Sequence, residues 1–321
     1  MPEIQTVGVV GAGTMGSGIA HVFSRAGFRV LLCDVEQRFL DRGLETIAKN
    51  LDREVAKNKI TAEDKATILK RIEGVVDRAL AQIRTNLGRE VAKGKLPEAE
   101  IEPALARIAP TVDREALAAA EFVVEAASER FELKSEIFQA LDRILPEEAV
   151  LATNTSSISI TKLAAHTRRP AQVIGMHFFN PVPVMALVEV VRGLATSDGT
   201  FATVHALAVK LGKTPVEVND APGFVSNRVL MPLINEAAFA VMEGVATPEA
   251  VDQVFKLGMN HPMGPLTLAD FIGLDVCVDI LRVLQEGYGD PKYRPCPLLV
   301  RMVDAGWLGR KSGRGFYPYQ E

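Results

Sequence analysis

The chain has 321 residues, 48% of them apolar and 24% charged, with a net charge of −4 and a pI near 5.9. That is the composition of an ordinary globular protein long enough for two cores, and it lacks the basic surplus of a general nucleic-acid binder. No leader precedes the first strand, no apolar run reaches membrane-span length, and Cys33, Cys277 and Cys296 show no CxxC spacing, so a cytoplasmic protein with reduced thiols and no metal site is expected.

Residues 6–10 form a short apolar strand that runs into Gly11-Ala-Gly13-Thr14-Met15-Gly16-Ser-Gly18 and a helical stretch ending at Gly27. A second strand, 28–34, closes on Asp34. A bare GxGxxG is often only a turn. Between a strand and a helix, with an acid about 20 residues on, it reads as a dinucleotide loop. The first glycine permits the turn, the second lets backbone N–H groups approach a pyrophosphate, and the third lets helix and strand pack closely. The helix N-terminus adds partial positive charge. Asp34 suits ribose hydroxyls and repels a 2′-phosphate, which favours NAD over NADP, although Arg38 lies nearby.

Residues 36–117 read as a charged helical arm protruding from this domain. The arm holds an internal repeat: over 50–78 against 86–114, 14 positions are identical, including Asn50 with Asn86 and Lys57 with Lys93. Chance would give roughly two, so the pattern predicts a duplicated helical hairpin. Lys49, Arg53, Lys57 and Lys59, with Arg89, Lys93 and Lys95, make a basic stripe. Two readings are open for it, a solvated helix face and an anchor for an anionic substrate tail.

Strands follow at 120–126 and 150–154, separated by an amphipathic helix over 128–145. The second runs into Thr155-Ser156-Ser157, small polar groups at the edge where open α/β sheets bind ligands. One of these hydroxyls can equally serve as a helix N-cap. The run 174–191 is almost wholly apolar apart from His177 and Glu189. Pro181 and Pro183 force a turn between strands 173–177 and 187–191, so the layout can bring the histidine and the carboxylate together. Such a pair can be structural, since buried polar groups need partners. A helix over 200–211 and a strand over 214–218 complete a Rossmann-type domain, 1–219. Beyond it 224–243, 248–257, 266–286 and 297–305 show helical periodicity and define an all-helical domain, 220–321. Asn227 interrupts the first of these helices, either to satisfy backbone groups or to hold substrate. The basic, glycine-rich tail 309–317 is placed to fold back over a phosphate.

A dinucleotide loop and a histidine–glutamate pair point to hydride transfer at a carbon bearing a hydroxyl, with histidine as proton acceptor. Ser156 and Asn227 are candidates to hold the substrate oxygen. Ser156 lacks the G-x-S-x-G context of an acyl-transfer nucleophile, and the five histidines lack metal-ligand spacing.

Gly11-Ala-Gly-Thr-Met-Gly16, Asn154-Thr-Ser-Ser157, His177-Phe-Phe-Asn-Pro-Val-Pro183, Glu189, Pro222-Gly-Phe-Val-Ser-Asn-Arg228, Met263-Gly-Pro265 and Gly313-Arg-Gly-Phe-Tyr317 closely resemble the L-3-hydroxyacyl-CoA dehydrogenases, the short bacterial 3-hydroxybutyryl-CoA enzymes in particular. The resemblance spans the chain apart from the repeated hairpin. It implies an NAD-dependent interconversion of (3S)-hydroxyacyl-CoA and 3-oxoacyl-CoA, as in fatty-acid β-oxidation, by a dimer joined through its helical domain. It assigns His177 as base, Glu189 as its partner, and Ser156 and Asn227 to the substrate. Glu129, Lys134, Asn180 and Lys311 fall at its cofactor positions beside Asp34, and Asn50 and Lys57 at its CoA positions. Because the hairpin is doubled, Asn86 and Lys93 are alternatives. Rival readings are a dehydrogenase of a free hydroxy or sugar acid and a non-catalytic NAD-binding structural protein.

Overall fold

The computed structural model of the protein describes residues 4–34, 75–111 and 113–319. They fall into two compact units, Met1–Asp220 and Ala221–Glu321. Asn50, Lys57 and the first copy of the hairpin lie outside the described residues, apart from its last positions.

The first unit is built on an eight-stranded sheet. Its strands are β1 (Thr6–Val10), β2 (Arg29–Cys33), β3 (Ile108–Thr111), β4 (Phe122–Glu125), β5 (Val150–Thr153), β6 (Val173–Phe178), β7 (Leu187–Arg192) and β8 (Thr214–Asn219). Their order is β3-β2-β1-β4-β5-β6-β7-β8, and only the β6–β7 pair is antiparallel. β1, β4 and β5 are apolar on successive residues between their polar ends, because a parallel strand is covered on both faces. One face is packed by α1 (Thr14–Arg25), where Phe23 meets Phe28 edge-on with ring centres 5.5 Å apart. β8 carries Pro215 at the sheet margin, where a missing N–H costs no ladder bond.

The stretch read as an uninterrupted helical arm differs in two ways. Ile108–Thr111 is a strand, paired in parallel with β2 from Val30↔Ile108 to Cys33↔Thr111. Its short apolar pattern sits inside the repeat, and Pro110 is tolerated because β3 is the outermost strand. Nor does the described part of the arm protrude. Helix α2 (Val75–Ala92) lays Ala79, Ile83 and Leu87 into the main core, at the four-residue spacing that keeps one helix face inward. A short helix, α3 (Ile101–Ala106), returns the chain to β3.

Further along, α4 (Phe131–Ile144), α5 (Ile160–Ala164) and α6 (Asp198–Lys210) alternate with the strands. Ser159 and Ser197 cap the last two through their side-chain oxygens. The guanidinium of Arg169 donates to the carbonyls of Asp142 and Leu145, closing the C-terminal end of α4.

The second unit is helical: α7 (Ser226–Met242), α8 (Pro248–Gln253), α9 (Pro265–Ile272), α10 (Leu274–Tyr288) and α11 (Pro297–Asp304). The helix expected over 266–286 is two, because Gly273 adopts φ +107° between α9 and α10. The tail packs on its own unit: the Phe316 and Tyr317 N–H groups donate to Asp270 at 3.0 Å. Asn235 satisfies buried backbone in this unit: it accepts from Cys296 N and donates to Arg294 O. No helix among the described residues is long and apolar enough to cross a membrane.

Gly16 shows how tightly α1 is docked: a Cβ there would stand 1.8 Å from the Gly11 carbonyl oxygen. Backbone cannot move aside as a side chain can. Gly16→Ala is therefore expected to cost about 3 kcal/mol, a fall in melting temperature of roughly 6–12 °C for a domain of this size, read by thermal denaturation.

Candidate active site

The sheet sets the site through register. Val10, Glu125, Thr153 and Gly175 lie side by side along β1, β4, β5 and β6, all running the same way. The chain leaves each of these strands at one carboxyl edge. The order turns back at β1, between β2 and β4, which is where such sheets open a ligand crevice.

At that crevice the glycine loop is held from both sides. Gly11 N–H donates to Cys33 O at 2.8 Å, and Ala12 N–H donates to the buried Asp34 carboxylate at 2.7 Å. Gly11 has φ +101°, and a Cβ on it would meet Ala126 O at 2.6 Å, so glycine is required by the protein itself. Gly13 is different. It has φ −70° and a Cβ there would touch nothing within 4 Å. The open space over Gly13, at the N-terminus of α1 with Thr14 exposed and Met15 half-buried, fits a group that must approach the backbone closely. Asp34 directly follows β2, the position from which an acid binds ribose hydroxyls in folds of this kind.

The next strand ends on Glu125, a carboxylate wholly out of water. It accepts from Ala127 N, Thr153 Oγ1 and Lys134 Nζ, the last at 2.8 and 2.9 Å. Lys134, which falls at a cofactor position by the family likeness, has a buried side chain, and its ammonium also donates to Ala127 O. It neutralises Glu125 beneath the crevice, as a buried carboxylate demands. Neither Glu125 nor this role was singled out from the sequence, where the only sign is a strand closing on an acid nine residues before a lysine.

Glu129 organises the β5 loop. Its Oε1 accepts from Thr155 Oγ1 (2.6 Å), Ser156 N (2.9 Å), Ser157 N (3.1 Å) and, at 3.3 Å, Ser156 Oγ. Burial pushes the Glu129 carboxyl up, yet Lys134 at 3.4 Å and these bonds outweigh it and hold the acid below the usual carboxylate range. An anion at neutral pH thus fixes Ser156. Asn154 Oδ1 accepts from Phe178 N at 2.8 Å, tying the end of β5 to the residue after His177.

His177 and Glu189 stand directly opposite each other in the antiparallel β6–β7 ladder, two residues beyond the Val10–Gly175 row. Both are buried, and Nδ1 lies 2.7 Å from Glu189 Oε2. A carboxylate accepts, so Nδ1 carries the hydrogen and Nε2 presents the lone pair. Phe179 packs against the imidazole with ring centres 4.8 Å apart. Asn180 is exposed at the start of the proline bend.

In the second unit Asn227 is half-buried in the first turn of α7, its N–H donating to Gly223 O. Lys311 pairs with Asp275 at 2.6 Å. Of the hairpin positions, Asn86 and Lys93 line a cavity of about 410 Å³ beside the proline bend. Among the described residues no cluster of three or more potential ligands could hold a metal.

A glycine loop with its acid on a doubly wound sheet defines a dinucleotide-binding oxidoreductase. Residues 6–79 and 73–221 match the 3-hydroxyacyl-CoA dehydrogenase NAD-binding domain, and 223–319 match the C-terminal domain of the same enzymes. The chain belongs to the 3-hydroxyacyl-CoA dehydrogenase family and is an NAD-dependent oxidoreductase. A probable 3-hydroxybutyryl-CoA dehydrogenase of Bacillus subtilis is 52% identical over 99% of each chain. A 3-hydroxybutyryl-CoA dehydrogenase of Bradyrhizobium diazoefficiens is 49% identical, over 99% of this chain and 96% of the relative. The crystal structure of (S)-3-hydroxybutyryl-CoA dehydrogenase from Ralstonia eutropha superposes with a TM-score of 0.86 at 46% identity, covering 99% of this chain and all of that one.

Gly13→Ala separates cofactor from fold. It should cost no more than about 1 kcal/mol of stability, the loss of a fair N-cap for a poor one, while NADH affinity measured by fluorescence titration falls at least about tenfold.

Proposed function

We propose that the protein interconverts (3S)-3-hydroxybutyryl-CoA and acetoacetyl-CoA, with His177 as the general base. The observation that carries this is the buried 2.7 Å His177–Glu189 bond at the carboxyl edge of the sheet that bears the glycine loop. Bound NAD supplies the hydride acceptor. His177 Nε2 takes the substrate hydroxyl proton as the carbon–hydrogen bond yields its hydride, and returns it in the reverse direction. Glu189 holds the tautomer and stabilises the imidazolium that forms. Ser156, held by Glu129, steadies the substrate oxygen, and the family likeness gives Asn227 a substrate role. Glu125 and Lys134 support the loop from below, and Gly11 to Gly16 with Asp34 hold the dinucleotide.

The names of the relatives support the four-carbon substrate. For the CoA moiety the described residues support a role for the second hairpin copy. Asn86 and Lys93 lie on a cavity with Arg25, Arg89 and Lys95, a suitable cradle for phosphates. Exposed apolar residues on the helical unit, among them Val225 and Val229 on one helix face, Leu257 and Phe271, support a homodimer through this unit. Three buried, unbridged cysteines support a reducing, cytoplasmic setting.

In a spectrophotometric assay, the protein should oxidise NADH with acetoacetyl-CoA. His177→Ala should leave NADH binding near normal and lower turnover by about a hundredfold or more. Unchanged turnover would remove His177 from the mechanism.

A further inference from the structure

The bend between His177 and Glu189 is anchored twice. On one side it rests on the nucleotide helix: a Cβ on Gly18 would stand 2.7 Å from Val182 Cβ, so the bend is seated directly on α1. On the other side it is held by Lys213, just before β8. The buried Lys213 ammonium donates to Val182 O (2.5 Å) and Met185 O (2.8 Å), and the next residue's N–H donates to Ala186 O at 2.7 Å. Inside the bend, Val184 N and Met185 N both donate to Pro181 O. One lysine thus gathers the carbonyls of the segment that joins the imidazole strand to the carboxylate strand.

Lys213 also lines the 410 Å³ cavity, whose other wall is the second hairpin helix. Among the described residues five cations line it, Arg25, Arg89, Lys93, Lys95 and Lys213, against one carboxylate, Glu90. Glu90 is already shared, since Arg25 Nη1 lies 3.1 Å from it and His21 Nε2 3.4 Å. Burial lowers the Lys213 pKa and nearby Arg25 lowers it further, against the pull of Glu90. Like charges gathered around a cavity favour an anionic occupant. Two of the three ammonium hydrogens of Lys213 go to the bend, which leaves one for that occupant.

We propose that Lys213 is a positioning residue that couples occupation of this cavity by the anionic end of an acyl-CoA to the bend carrying His177 and Glu189. The inference rests on the function proposed above and adds a route by which a remote, non-reacting part of the substrate raises turnover as well as affinity. A merely structural lysine would act equally on any substrate. A coupling lysine acts on the substrate that carries the anion.

The test compares acetoacetyl-CoA with acetoacetyl-N-acetylcysteamine, the same thioester without the nucleotide, in the native protein and in Lys213→Met. The expected result is that the substitution lowers kcat with acetoacetyl-CoA by at least about fivefold more than with the truncated thioester. Equal losses, or no loss with either, overturn the proposal. Should Lys213→Met fail to fold, the native protein decides the matter. Saturating adenosine 3′,5′-bisphosphate should raise kcat for the truncated thioester about threefold or more, and no rise overturns the proposal. If the native protein turns over neither thioester, the proposed function fails with it. Turnover of both without coupling removes Lys213 alone.

Discussion

A carboxylate and an imidazole taken out of water have few ways to be stable. Each needs a partner with good geometry, and a buried carboxylate left unpaired costs several kcal/mol. In this protein Glu189 and His177 meet that need in each other, across one rung of an antiparallel ladder. The same bond suits the tautomer that the proposed proton transfer needs, so one contact would serve both burial and chemistry. Much of the first unit serves to keep that rung in register: the proline bend, the asparagine that ties β5 to β6, and the lysine that holds the bend closed.

Placement of the pair follows from sheet topology. Val10, Glu125, Thr153 and Gly175 form one row, and three strand spacings, about 14 Å, separate β1 with its glycine loop from β6. Within that span the polar groups are layered. Glu125 and Lys134 neutralise each other below the surface, Glu129 fixes the serine loop above them, and Ser156 stands at the top. This layering explains why a lysine that the family likeness puts beside the cofactor is buried. Its charge is spent on the strand-end carboxylate.

What could be read from the sequence was mostly what is local. The strand–glycine–helix–strand unit announces itself within 35 residues, because the glycine spacing, the flanking strands and the closing acid all lie in one short stretch. The His177–Glu189 pair was also legible, since a period of two on both sides of a proline bend leaves few registers open. β3 was not. The Ile-Ala-Pro-Thr stretch lies near the tail of a repeat whose sequence pattern reads as helical, and the identity between copies drew the helix across it. The partners of Lys134 and Lys213 were hidden for another reason: a strand-end carboxylate and a pair of bend carbonyls become neighbours only once the sheet is assembled. The split at Gly273 needed a backbone angle that periodicity does not carry.

The central claim is that Glu189 makes His177 a base by holding its Nδ1–H, and Glu189→Gln tests it most directly. The amide keeps the size of the side chain and can still meet the ring, but it no longer supplies a negative charge to an imidazolium. With NADH binding retained, the turnover of acetoacetyl-CoA should fall by about a hundredfold or more, as expected when the carboxylate behind a catalytic imidazole is lost. Turnover within about threefold of the native value would contradict the account, and would leave the pair as a structural bond in a site whose chemistry lies elsewhere.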